Sequence, residues 1–256
     1  MNDEFYIGWQ SRAPAGIGSR VRKAVVALLL LVVASSCILA LAQQTIGVAV
    51  FEWGTVKTFR GVLQTRPYPH LLLSRPGQGG GQSAYYLVAP FKFGLSSEAI
   101  AGFEGKPVSL KGTLIYRDNQ TMIEVRPESI REASPADQQA RGFNSVPSAD
   151  PHSPLVTLVG EIVDSKCYLG VMNPGNGKVH RDCAARCISG GAPPAFVARD
   201  AEGASRVLLL VGSDGRQLNR EVLSFVAEPI EVPGELLRSG ANLILKAEPS
   251  RFRRTE

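Results

Sequence analysis

The chain repeats itself, and the repeat restricts the fold more than any other feature. Shifted by 122 residues, the stretch from Ala84 to Arg131 lies without a gap over Arg206 to Arg253. Phe103 falls on Phe225, Pro107 on Pro229, Gly112 on Gly234 and Pro127 on Pro249. Val108 and Leu110 meet Ile230 and Val232, so the apolar alternation is kept along with the turn residues. A register held over such a stretch marks a tandem duplication of one folding unit.

The unit is mainly β. Alternating apolar residues predict strands over Phe51 to Gln64, Leu71 to Ser74, Tyr85 to Pro90, Pro107 to Tyr116 and Thr121 to Pro127. Between the third and fourth, Ser96 to Gly105 opens on Ser and closes on Gly as a short helix does. In the fourth, Val108, Leu110, Leu114 and Tyr116 are expected inside, with Ser109, Lys111 and Thr113 outside. Three strands, a helix and two strands is the order of the OB-fold, a small five-stranded barrel. The expected modules are 45–130 and 155–256. Residues 131–154 between them are polar and rich in Pro, Ser and Ala, a linker in which His152 is solvated. The Gly-rich run Pro76 to Gln82 lacks the Lys-Ser/Thr of a phosphate loop and reads as a hairpin connection.

The copies differ in one place. Tyr85 follows Gly61 by 24 residues, whereas Val207 follows Gly160 by 47. The extra chain, 167–191, holds Cys167, His180, Cys183 and Cys187 in the spacing C-x12-H-x2-C-x3-C. Lys178 to Ser189 reads as a helix stopped by Gly190-Gly191, and positions i, i+3 and i+7 put His180, Cys183 and Cys187 on one face. Cys167 reaches them by folding back across the Pro174–Gly177 loop. Three thiolates and an imidazole suit zinc or copper(I). Covalent haem attachment needs C-x-x-C-H, which the sequence lacks; non-covalent haem ligation by His180 or a cysteine stays open. So does a disulfide from Cys167 to Cys183 or Cys187, leaving one thiol beside His180. Glu161 and Asp164 flank the first strand of the second module; solvated carboxylates are the commoner case on a strand, and support for a metal-bound histidine is the other reading. No G-x-S-x-G or H-E-x-x-H is present, and His70 lies in a loop-like context.

Ahead of the repeat, Ala24 to Ala42 is uncharged and includes only Ser35 and Ser36 as polar residues. As a helix it spans roughly 28 Å, enough for a bilayer core. Arg12, Arg20, Arg22 and Lys23 precede it. The positive-inside rule then predicts a cytoplasmic tail over 1–23, a single-pass anchor over 24–44 in a bacterial inner membrane, and export of the remainder. Ala40-Leu41-Ala42 resembles a signal-peptidase site, but the long apolar run favours an uncleaved anchor, with Cys37 a small apolar residue inside it. The formal charge of +5 lies partly in this cluster and in Arg251, Arg253 and Arg254. No interior helix carries a basic face with interleaved aromatics, so nucleic acid is not the expected partner.

The motif around the cysteines resembles that of a group of small exported bacterial proteins, G-x-x-x-D-x-x-C followed by H-x-x-C-A-x-x-C-x-x-G-x-P. Here it is carried by Gly160, Asp164, Cys167, His180, Cys183, Ala184, Cys187, Gly190 or Gly191, and Pro193. The resemblance covers Val156 to Leu210 and implies that the four ligand-type residues act as a unit; it implies no reaction. The expected function is a membrane-anchored accessory protein binding zinc or copper for a membrane redox or metal-handling system, with a membrane-protein or redox-complex partner. A thiol-dependent redox enzyme and a disulfide-stapled scaffold are the alternatives.

Overall fold

The computed structural model describes residues 14–43, 49–74, 82–117, 120–134, 153–199, 205–239 and 242–255. Most of the Gly-rich run, most of the linker with His152, and residues 1–13 of the tail lie outside them. The chain divides into two compact units, Met1–Gly47 and Val48–Glu256.

Among its described residues the first unit holds one helix, α1 (Ala15–Gln43), long and apolar enough to cross a membrane. It starts well before Ala24, so Arg20, Arg22 and Lys23 occupy its early turns. Within the apolar run the Ser36 hydroxyl donates to the Val32 carbonyl at 2.8 Å, the usual way a helix satisfies a serine without water.

The second unit holds two closed five-stranded barrels. A short strand β1 (Ala49–Phe51) precedes the first, whose strands are β2 (Lys57–Gln64), β3 (His70–Ser74), β4 (Gln82–Val88), β5 (Pro107–Arg117) and β6 (Gln120–Val125). They run β5-β2-β3-β4-β6, and β6 pairs back on β5 to close the ring. All pairings in the ring are antiparallel except β4 with β6, the OB arrangement. The β1 strand and β7 (Arg131–Glu132) extend along β5. In the second barrel β8 (Leu155–Asp164), β9 (Pro194–Arg199), β10 (Ser205–Gly212), β11 (Ile230–Ser239) and β12 (Asn242–Ala247) repeat this order, and β13 (Arg253–Arg254) repeats β7.

Pairings reproduce the duplication. Gly112 opposes Val125 and Gly234 opposes Ala247, the same pair moved on by 122 residues. Both glycines mark a barrel corner: a Cβ on Gly112 would come within 2.6 Å of the Glu124 carbonyl oxygen, and on Gly234 within 2.5 Å of that of Lys246. The gapless superposition fails over one strand. Tyr86 pairs with His70 and Met122, while its structural counterpart, paired with Ala195 and Ile244, is Leu209 rather than Leu208. The slip is absorbed before the helix between the third and fourth strands. In the first barrel that helix, α2 (Ser97–Ile100), is a single turn capped by the Ser96 hydroxyl; the expected longer helix gives way to a turn at Ala101-Gly102, with Gly102 at φ +79° and the Phe103 N–H on the Ile100 carbonyl. A 3-10 segment, Arg220–Phe225, takes its place in the second.

Each barrel has its own core: Leu63, Leu71, Leu87, Val108, Leu110 and Ile123 in the first, and Ile162, Phe196, Leu210, Val232 and Leu245 in the second. A third cluster belongs to both, joining Tyr68, Tyr86, Ile115 and Met122 to Val163, Tyr168, Val197 and Leu209. This shared core corrects the inside–outside reading of β5. Val108, Leu110 and Leu114 do face the first barrel's interior, but Ile115 on the opposite face is fully buried, and Ser109 and Thr113 are buried as well. The second barrel covers this face at Ile115 and β7 pairs beside Ser109, while Lys111 stays exposed as expected. Polar bonds cross the same seam. The Tyr68 hydroxyl donates to the Leu210 carbonyl at 3.0 Å and accepts the Leu218 N–H at 2.8 Å; the Asn242 amide donates to the Ala84 carbonyl at 2.8 Å.

Candidate metal centre

The insert lies between β8 and β9. As β8 ends, Asp164 sinks to complete burial and accepts the Cys167 N–H at 2.8 Å. An acid three residues before the first helical amide is a capping arrangement, and it explains the D-x-x-C spacing. The capped segment, Cys167–Val171, is one wide turn with i to i+5 bonding, closed by the Met172 N–H on the Cys167 carbonyl at 3.2 Å. The chain then loops back. Glu161 of β8 holds that loop, accepting from the Asn176 amide and the Gly177 N–H, both at 2.9 Å. A 3-10 turn over Lys178–His180 leads into α3 (Arg181–Ser189), so the α-helix proper begins three residues later than its sequence indicates. It ends at the Gly190-Gly191 stop, where Gly191 takes φ +98° and the Ala192 N–H returns to the Cys187 carbonyl. Ala184 and Ile188 plug α3 into the second barrel's core, and Asn219 donates to the Ile188 and Ala192 carbonyls at its end.

These constraints bring the ligand-type side chains together. Donor atoms of Cys167, His180 and Cys183 lie within 4.8 Å of one another, as do those of Asp164, Cys167 and Cys187. Cys167 belongs to both groups. His180 and Cys187 approach from opposite ends, because seven residues of helix span about 10 Å. Cys167, His180 and Cys187 are buried, and Cys183 is half-exposed at the rim. Asp164 ties the two arms: one carboxylate oxygen takes the Cys167 amide, and the other meets His180 Nε2 at 3.1 Å. That bond leaves Nδ1 as the nitrogen for a ligand, the carboxylate–histidine relay that orients metal-bound imidazoles. All three cysteines of the cluster are free thiols. Their chemistry fits a soft or borderline ion, with the acid in a supporting position.

The thiols are electrostatically unequal. The hydrogen bond from Cys167 lowers the pKa of Cys187, against burial and Asp164. The same bond, followed by burial and the Asp164 charge, raises that of Cys167. A cation from the first barrel completes the set. Lys92 Nζ lies 2.7 Å from Cys183 Sγ, and this hydrogen bond raises the lysine pKa above 10.5.

Lys92 sits on the loop Ala89–Gly94, between β4 and α2, and the second barrel grips this loop from two sides. Lys166, directly before Cys167, is fully buried; its ammonium donates to the Ala89 and Phe91 carbonyls at 2.8 and 2.7 Å and pairs with Glu124 at 2.6 Å. The Gly94 N–H donates to the Gly190 carbonyl at 2.9 Å. A Cβ on Gly94 would stand 2.1 Å from the Gly191 carbonyl oxygen, so only glycine permits the approach. Phe91 adopts φ +61°, a conformation that costs a bulky residue roughly 1–3 kcal/mol.

The sequence marked the four ligand-type residues; of the two flanking acids only Asp164 meets the histidine, and Glu161 holds the Asn176–Gly177 loop instead. Sequence reasoning missed Lys92 and Lys166. One signal was present: at this loop the first copy reads Ala89-Pro90-Phe91-Lys92-Phe93-Gly94, where the second has Gly212-Ser213-Asp214-Gly215-Arg216-Gln217. Compared with known proteins, the chain matches no family model, no curated protein and no solved structure.

Proposed function

We propose that Cys167, His180, Cys183 and Cys187 bind a single zinc or copper(I) ion, and that the protein is a membrane-anchored accessory of a membrane redox or metal-handling system. The observation that carries this reading is the double engagement of Asp164, which fixes the Cys167 turn and the His180 ring with one buried carboxylate. A disulfide staple has no use for an oriented histidine. The basic residues ahead of the apolar run Ala24–Ala42 favour a cytoplasmic N-terminus and exported barrels. The motif shared with small exported bacterial proteins supports the same unit. A second reading is favoured by the unequal pair Cys167 and Cys187: a thiol redox enzyme in which the Cys187 thiolate attacks a substrate disulfide, releasing one thiol, and Cys167 then closes a disulfide with Cys187, releasing the second.

The test uses the full chain, reduced and loaded in non-ionic detergent. One ion per chain is expected by elemental analysis, with Cys167, Cys183 and Cys187 protected from alkylation. Asp164→Asn should weaken binding about 10- to 100-fold. A chain that takes up no stoichiometric ion and instead carries a Cys167–Cys187 disulfide would overturn the metal reading and leave the redox one.

A further inference from the structure

The thiol cluster opens into a cleft of about 680 Å³ that neither barrel forms alone. The first barrel lends Phe91, Lys92 and Phe93; the second lends Met172 and Arg186, with Cys183 on the floor. The size falls within the range of small-molecule sites. We propose that this cleft binds a small organic anion with a flat apolar body.

The apolar half of that description comes from the walls. Phe91 is 84% exposed, Phe93 58% and Met172 46%, an accumulation of bare apolar side chains around one opening. These rings are not loose surface residues. Lys166 holds the carbonyl of Phe91 from below, Gly94 is locked on Gly190, and Phe91 keeps a left-handed backbone. A rigid loop that spends strain to present two aromatic rings to water is preorganised for a planar partner, which stacks on or edges against them. Met172 supplies an adaptable third side. The second copy's equivalent loop, Gly212 to Gln217, has no aromatic residue, so the feature belongs to the place where the cleft is and not to the duplicated fold.

The charge comes from the rim. Lys92 and Arg186 both line the cleft and both are exposed, and among the described residues neither pairs with a carboxylate. Lys92 uses one of its three protons on Cys183 and keeps the others for an acid group; the Arg186 guanidinium offers a planar fork. A carboxylate or sulfonate at the rim with its ring between Phe91 and Phe93 satisfies both halves of the site. The bound anion would roof Cys183. The proposal does not depend on an ion in the cluster.

Naphthalene-2-sulfonate is a suitable probe, with 2-naphthalenemethanol as its uncharged counterpart. Calorimetric titration of the full chain in non-ionic detergent should give one saturable site per chain for the sulfonate, in both metal-loaded and chelated protein. Phe93→Ala and Arg186→Gln should each weaken it about tenfold or more, and the alcohol should bind at least tenfold more weakly. Occupancy should slow alkylation of Cys183 in the chelated protein by a factor matching the fraction bound. Absence of saturable binding, or binding indifferent to both substitutions, overturns the site; equal affinity for sulfonate and alcohol overturns the anion. Binding that persists in a chain that takes up no metal supports the site and sinks only the metal reading.

Discussion

Replacing Lys166 with methionine tests whether the loop over the thiols is held from below. The wild-type ammonium makes two bonds to carbonyls and one ion pair, with its side chain 2% and that of Glu124 16% exposed. Methionine fills nearly the same volume, so the cavity contribution is small. What remains is a carboxylate and two carbonyls without their cation in a low-dielectric seam. Breaking one side of a buried pair costs about 3–5 kcal/mol, a large share of the 5–15 kcal/mol that typically holds a protein together. Urea unfolding of the full chain in non-ionic detergent, followed by circular dichroism, measures this loss. Adding Glu124→Gln removes the stranded charge, so the double variant should recover about 2 kcal/mol relative to additivity. Alkylation of Cys183 should quicken in Lys166→Met, since the loop bearing Lys92 loses its anchor. A variant within 1 kcal/mol of wild type, or strictly additive losses, would refute the claim that this pair fixes the loop.

Tyr68→Phe should cost about 1–3 kcal/mol in the same unfolding experiment, because it removes the buried bonds to the Leu218 N–H and the Leu210 carbonyl inside the shared core. Acid should destabilise the fold through His70. Burial lowers its pKa from 6.5, opposed by the bond to the Tyr68 carbonyl, so the folded chain binds fewer protons than the unfolded one. Stability therefore rises with pH between the lowered value and 6.5, is complete above 6.5, and is lost as pH falls through that window. The slope for one proton is at most about 1.4 kcal/mol per pH unit, and His70→Gln should flatten it in urea midpoints measured across the window.

What the sequence disclosed follows from which interactions are local. The duplication was visible because corner glycines and core positions such as Val108 and Ile230 must recur wherever the same barrel closes. The ligand-type residues were visible because a capped turn and a helix impose fixed spacings on Asp164, Cys167, His180, Cys183 and Cys187. Contacts between the copies left almost no trace. Lys166 reads as an ordinary lysine until the loop 75 residues upstream is seen to lie against it. Ser109 and Thr113 read as solvent-facing because period-2 alternation describes one covered face, and here much of the other is covered too. The one-residue slip in β10 was hidden for a related reason: Leu208, Leu209 and Leu210 are interchangeable to a pattern, and only their cross-strand partners tell them apart.

The shared core also bears on how the protein is made. As the chain leaves the ribosome, the first barrel can close once β6 has emerged, because every strand of its ring is then present. Its own interior is complete at that moment, yet Tyr68, Tyr86, Ile115 and Met122 still face outward with nothing of the second barrel against them. They remain so until β8, β9 and β10 arrive. Domains fold in order of synthesis, and apolar surface exposed in the interval is what chaperones recognise and what aggregates. For this nascent chain the hazardous species is a correctly folded half, waiting for its other half to cover it.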